Sequence, residues 1–165
     1  VLSSMIRHSD EVEDRSALQG EVRFTLDRLA VDLRQAYSGV DGVSPIEAVS
    51  PTGLTFLSPD RAEPFHLRRI SYRLNNGAIE RAMATSTDTD GAPWNIPALG
   101  PWVKQVGSVT NAAPFSYFDE NGAATTNPAA VATVKIDLVV ATNSSPTRTL
   151  RYSTSVTVRS DVETS

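Results

Sequence analysis

The chain has 165 residues, 40% of them hydrophobic and 21% charged, which is enough for one domain with a substantial buried core. A net charge of -4 and a sequence pI near 5.1 argue against nucleic acid as a partner, since phosphate neutralisation needs a basic surface. Zero cysteines exclude disulfides, thiolate catalysis and cysteine-ligated metals.

The start, Val1-Leu2-Ser3-Ser4-Met5-Ile6, carries no helix cap and runs directly into a charged stretch. No proline intervenes before Tyr37, and no apolar run is long enough to cross a bilayer. A helix continuous from Ser3 would reach roughly 54 Å at 1.5 Å per residue. A compact domain of this size is only about 40 Å across, so part of the helix must protrude. The expectation is a sequence cut into partway along a longer helix, whose apolar beginning lies upstream of Val1.

From Arg15 to Ser38 the pattern is that of an amphipathic helix. Leu18, Val22, Leu26, Leu29, Leu33, Ala36 and Tyr37 recur at steps of three and four, inside a stripe roughly 80° wide. Gly39 and Asp41-Gly42 supply the stop. Leu18, Val22, Leu26, Leu29 and Leu33 are the expected contact with a sheet, and Arg28 with Asp32 the expected surface pair. On the far side Ala17, Phe24 and Val31 recur at intervals of seven. Such a line is either scattered surface apolar residues or a second contact face, and these three are the candidate partner interface.

Beyond Gly39 the period changes to two. PIEAVSP and TGLTFLSP are short proline-bounded pieces, the second holding the strand Leu54 to Leu57. Phe65 to Leu74 alternates with a slip at Arg68-Arg69 that predicts a bulge. The same two arginines are expected to pair with helix acids. Asn75-Asn76-Gly77 marks a hairpin, with Ala78 to Ser86 returning and Ile79, Arg81 and Met83 on one mixed face. Thr87 to Pro101 reads as a loop, and Trp102 to Thr110 carries no clear period. Pro114 to Asp119 is a strand, Ala123 to Ala130 a polar loop. Val131 to Ala141 and Thr149 to Arg159 are paired strands across the NSSPT turn. A helix spanning 1–38 and a β-rich head over 39–165, folded as one unit, make the class α+β: one helix across one face of an antiparallel sheet.

Sites for chemistry are lacking. His8 and His66 have no ligand spacing, and neither phosphate-binding glycine motif occurs. Ser86 to Gly91 (STDTDG) resembles the first half of a calcium loop, but Pro97 stands where its bidentate Glu belongs. No catalytic residue, cofactor or metal is expected. The Ser/Thr-rich, Lys-poor composition suits an extracellular surface.

Four stretches, in order, resemble the type IV pilin-like proteins, specifically minor pilins and pseudopilins of the PilW and GspJ/ComGF kind. Phe24 to Ala36 (FTLDRLAVDLRQA) is similar to the family's helix end, and Ile70 to Arg81 (ISYRLNNGAIER) to its hairpin. Val109 to Gly122, with FSYFD, resembles a third motif, and VKIDL with YSTSVTVR its closing strands. Ser160 departs from the Asn usual after that Arg. The prepilin cleavage site with its glutamate, and the apolar half of the helix, are not in this sequence. The resemblance implies a non-catalytic subunit, held in the cytoplasmic membrane by the upstream helix, trimmed by a prepilin peptidase, and extracted into an extracellular or periplasmic filament. Its partners would be other pilins or pseudopilins of a type IV pilus or type II secretion filament. Leu18, Val22, Leu26, Leu29 and Leu33 would then face the head, and Ala17, Phe24 and Val31 neighbouring subunits. A different reading is an adhesive or carbohydrate-binding module on a helical stalk, using Trp94, Trp102, Tyr117 and Phe118 to stack on sugars.

Overall fold

The long helix α1 runs from Leu2 to Arg34, about 50 Å at 1.5 Å per residue. The computed structural model describes residues 2–89 and 91–158, those before Asp10 by backbone alone. The side chain of His8, and Asp90, Arg159 and Ser160 altogether, therefore lie outside what is described, as does the last part of the head, 159–165. The helix ends at Arg34 rather than Ser38. Gln35 N–H still reaches Val31 C=O, but Ala36 N–H bonds Leu33 C=O and Tyr37 N–H leaves for Leu57 C=O of the sheet. Tyr37 is thus a loop residue, not part of the buried stripe.

Eight strands follow among the described residues: β1 Ile46–Ser50, β2 Gly53–Pro59, β3 Leu67–Asn75, β4 Ala78–Thr85, β5 Val103–Val106, β6 Phe115–Phe118, β7 Thr133–Ala141 and β8 Thr149–Thr157. The unassigned stretch after Trp102 supplies β5, and the polar loop before β7 contains a 3-10 turn, Pro128–Ala130, capped by Asn127 Oδ1 on Ala129 N–H. The expected single sheet is two. One is a five-stranded meander, β1-β2-β3-β4-β5, and the other is β6-β7-β8, all neighbours antiparallel.

Side chains from α1 and both sheets meet in one core: Val22, Leu26, Leu29 and Leu33 with Leu54, Phe56, Ile70, Tyr72, Ile136, Leu138 and Val156, among others. Each fully buried side chain of this kind contributes about 1.5–3 kcal/mol. Leu18 is only partly buried, at the margin of that core. Tyr117 joins the sheets from β6. Its hydroxyl lies 2.9 Å from Ser50 C=O and 2.5 Å from Gly53 C=O, in the β1–β2 turn.

The expected bulge at Arg68-Arg69 does not form. β3 pairs in continuous register with both β2 and β4. Leu67 and Ile70 are both buried because they occupy opposite faces, with Ile70 and Tyr72 on the core side and Leu67 and Ser71 beside Ala82 and Ala84 on the other. The slip in the pattern therefore reflects a strand covered on both faces. At Asn76-Gly77 the hairpin turn has φ of 47° and 72°, the two positive values that a two-residue turn of this twist requires.

Two ion pairs differ from expectation. Asp32 turns inward to Arg81 of β4 instead of pairing with Arg28. Arg69 binds Glu47 of β1 through both Nε (2.5 Å) and Nη2 (2.9 Å), and Arg68 donates to Pro59 C=O, so neither reaches the helix. Neighbouring strands bring Glu47 closer than any helix acid, because β1 and β3 flank β2 in one sheet.

Candidate functional site

The face of α1 turned away from the head is where the sequence places a partner. Phe24 is 64% exposed and Val31 48% exposed, one step along the chain from the buried Thr25 (2%) and Asp32 (8%). Both apolar side chains lie on one line, seven residues and about two turns apart. Ala17 is exposed too, but it borders a recess of about 250 Å³ against Lys104, Gly107, Ser108 and Asn143. It therefore sits at the margin between helix and head. Phe24 and Val31 are open to solvent, and Ala17, seven residues earlier on the same line, is exposed beside that recess. Val12, 56% exposed, adds an apolar residue further up the helix, where most side chains of residues 10–17 are exposed.

The buried row fixes which face the helix shows. Asp32 Oδ2 accepts from Arg81 Nη2 at 3.2 Å and from the Tyr72 hydroxyl at 3.3 Å. The Arg81 guanidinium lies 5.8 Å from the Tyr72 ring centre, within cation–π range. Burial and then the Asp32 charge push the Tyr72 phenol well above its ordinary value. A carboxylate, a guanidinium and a phenol taken from water together are stable only if they stay paired, so rotating α1 would strand all three. The buried arc is accordingly wider than the apolar stripe, since it includes Thr25 and Asp32. The sequence carries one signal for this: Arg81 stands between Ile79 and Met83 on the inward face of β4, which demands a buried acid.

Past the end of α1 the chain forms one wall of a cleft of about 350 Å³. Residues 36–45 face the β6–β7 connection, with Val158 between them. Ser44 Oγ bonds Pro128 C=O at 3.2 Å and ties the two walls. Tyr37 OH donates to Asp41 at 2.9 Å, and Asp119 Oδ1 accepts from Asn121 and Ala123 N–H at 2.9 Å. Val40 and Val43 are exposed at 43% and 55%. This cleft was not foreseen from sequence, because its walls are a glycine-rich loop and a polar connection without period.

The Thr87–Pro101 loop is used internally. Trp94 lies on Gly39, where a Cβ would come within 2.1 Å of its Nε1. In the calcium-like string, Asp88 Oδ2 accepts Asn95 N–H at 2.8 Å and Ser86 Oγ donates to Asp88 C=O. Among the described residues no group of three or more His, Asp or Glu is placed to hold a metal. His66 Nδ1 contacts Ser86 C=O at 2.9 Å and organises the same loop. Three of the four aromatic residues suited to sugar stacking are engaged within the chain: Arg73 lies 3.9 Å over the Trp102 ring, Trp94 covers Gly39 and Tyr117 is buried, while Phe118 is half-buried. No helix among the described residues is long and apolar enough to cross a membrane.

No family model matches the sequence, and no curated protein matches it. The structure, however, is similar to the type IV-like pilin TTHA1219 from Thermus thermophilus, with a TM-score of 0.62 and 14% identity. The likeness covers 86% of this chain and 96% of that one. One long N-terminal helix packed on antiparallel sheets, matched over nearly the whole of a pilin, means that this chain has a type IV pilin-like α+β fold.

Proposed function

We propose that the chain is a non-catalytic structural subunit, a minor pilin or pseudopilin, of a type IV pilus or type II secretion-like filament. The observation that carries this is the division of α1: one face builds the core, while Phe24 and Val31 stay exposed on the other. Ala17, Phe24 and Val31 contact neighbouring pilin or pseudopilin subunits, and the β head, residues 39–165, faces outward. An apolar helix upstream of Val1 anchors the subunit in the cytoplasmic membrane before assembly. The assembled form is an extracellular or periplasmic filament. The fold likeness to a type IV-like pilin supports this reading.

The native coding sequence upstream of Val1 tests it. The expected result is a short basic leader, a cleavable Gly, and a Glu near the start of about 20 apolar residues, the length of a membrane-spanning helix. An upstream sequence without an apolar helix would overturn the reading.

A further inference from the structure

A strand at the end of a sheet carries a row of unpaired N–H and C=O groups, and folds usually blunt or fill it. Among the described residues, three of the four edges of the two sheets are treated so. β1 lies between Pro45 and Pro51 and shifts register between Ile46 and Ala48. β5 is four residues long, follows Pro101 and carries Lys104, and its pairing with β4 also shifts register. β6 is filled: Phe115 N–H donates to Pro51 C=O, and Tyr117 C=O accepts from Thr125 N–H.

β8 is the exception. It runs nine residues in unbroken register with β7 and holds no proline and no lysine. Val158 N–H bonds Ala132 C=O and Thr142 N–H bonds Arg148 C=O, so the even-numbered residues of β8 turn their main chain to β7. The main chain of Arg151, Ser153 and Ser155 points the other way, and among the described residues those three N–H and three C=O groups have no partner. The side chains of the same three residues are exposed. On the opposite face of the strand Leu150 and Tyr152 pack against the core and are only partly buried.

We infer that β8 takes up an extended segment of a different protein as a further antiparallel strand, through main-chain pairing. The segment alternates. Its apolar side chains extend the cover over Leu150 and Tyr152, and its polar ones lie beside Arg151, Ser153 and Ser155 on the solvent face. A second copy fits the edge less well: two β8 strands centred on Ser153 set each Tyr152 opposite Thr154, and the pair closes as a dimer. The inference goes beyond the filament reading and does not depend on it, since the open edge belongs to the head alone.

The probe is a dye-labelled peptide of the β7 sequence, TVKIDLVVA, which already alternates in this way. Its binding to the 165-residue chain is followed by fluorescence anisotropy. Added antiparallel to the open edge with Ile136 and Leu138 inward, the peptide aims the N–H groups of its Lys135, Asp137 and Val139 at β8. N-methylation at those three positions is expected to weaken binding at least about tenfold, because three hydrogen bonds are lost. N-methylation at Ile136 and Leu138 should leave binding within about twofold, because those groups point away from β8. Ser153→Pro removes an outward N–H and spares the β7 ladder, so this variant should keep its unfolding curve and lose the peptide. Should it not fold, the two methylated peptides still decide. The reverse methylation pattern means that the peptide displaces β7 and overturns the inference, as do equal weakening by both peptides and no binding at all. A dimer of the unsubstituted chain that Ser153→Pro abolishes assigns the edge to a second copy. Binding that requires removal of 159–165 assigns it to the chain's own end. Either result overturns a foreign strand.

Discussion

Two rows of α1, one residue apart, invert the usual relation between polarity and burial. Thr25 and Asp32 are buried at 2% and 8%, whereas Phe24 and Val31 are exposed at 64% and 48%. The buried row makes its contacts within the chain, through Asp32 to Arg81 and Tyr72. The exposed row has none that would repay its contact with water. Polarity alone therefore misassigns both rows. What decides burial is whether a partner exists inside the fold, and the exposed row is left for a partner outside it.

The sharpest way to break this contrast is to remove the buried carboxylate. Asp32→Ala leaves Arg81 buried without its counter-ion and is expected to cost about 3–5 kcal/mol in denaturant unfolding. Asp32→Leu combined with Arg81→Met should recover most of that loss, because both charges go together. A cost well under 1 kcal/mol for Asp32→Ala would mean that the buried row does not orient the helix.

Gly39→Ala comes next. It forces φ of +81° on a residue with a Cβ and drives that Cβ into Trp94. A loss of about 1–3 kcal/mol is expected from the strained backbone. Since Trp94 lies over the segment leaving α1, its fluorescence should shift in the same variant.

pH separates the buried polar network from the surface pairs. Tyr72, buried beside Asp32, and Tyr117, buried under the β1–β2 turn, both hold their protons above the ordinary tyrosine range. The folded state binds those protons more tightly than the unfolded chain. Stability is therefore full below about pH 10 and falls as pH rises beyond it. In acid the sign reverses. The Arg73 hydrogen bond holds the Glu80 carboxyl low and the Arg151 hydrogen bond holds Asp137 low, so their contribution is present above about pH 4 and fades as pH drops. Both pairs are open to solvent, and the acid effect should be the smaller in unfolding curves recorded across pH.

Much of this architecture is legible in sequence where a single period dominates. Val22, Leu26, Leu29 and Leu33 lie on one stripe and are buried; Val134, Ile136, Leu138 and Val140 alternate along β7 and are buried likewise. Legibility stops where side chains from distant elements meet. Asp32 looks like the helix-surface partner of Arg28 until β4 places Arg81 beside it. Leu67 and Ile70 look like a slipped register until the second covered face of β3 is known. The way the two sheets meet involves Tyr117 and the β1–β2 turn, contacts more than sixty residues apart that no local pattern encodes. The cleft between residues 36–45 and the β6–β7 connection is hidden for the same reason.

The smallest stability effect belongs to the exposed row and carries the most functional weight. Phe24→Glu with Val31→Glu should change unfolding free energy by no more than about 0.5 kcal/mol per site, as for other surface substitutions. The decisive measurement is the amount of this double variant recovered in sheared, purified filaments from cells making the full-length protein. Filament assembly through α1 predicts that it remains folded in the membrane fraction and is lost from the filaments. Recovery in filaments at the level of the unsubstituted protein would contradict the account.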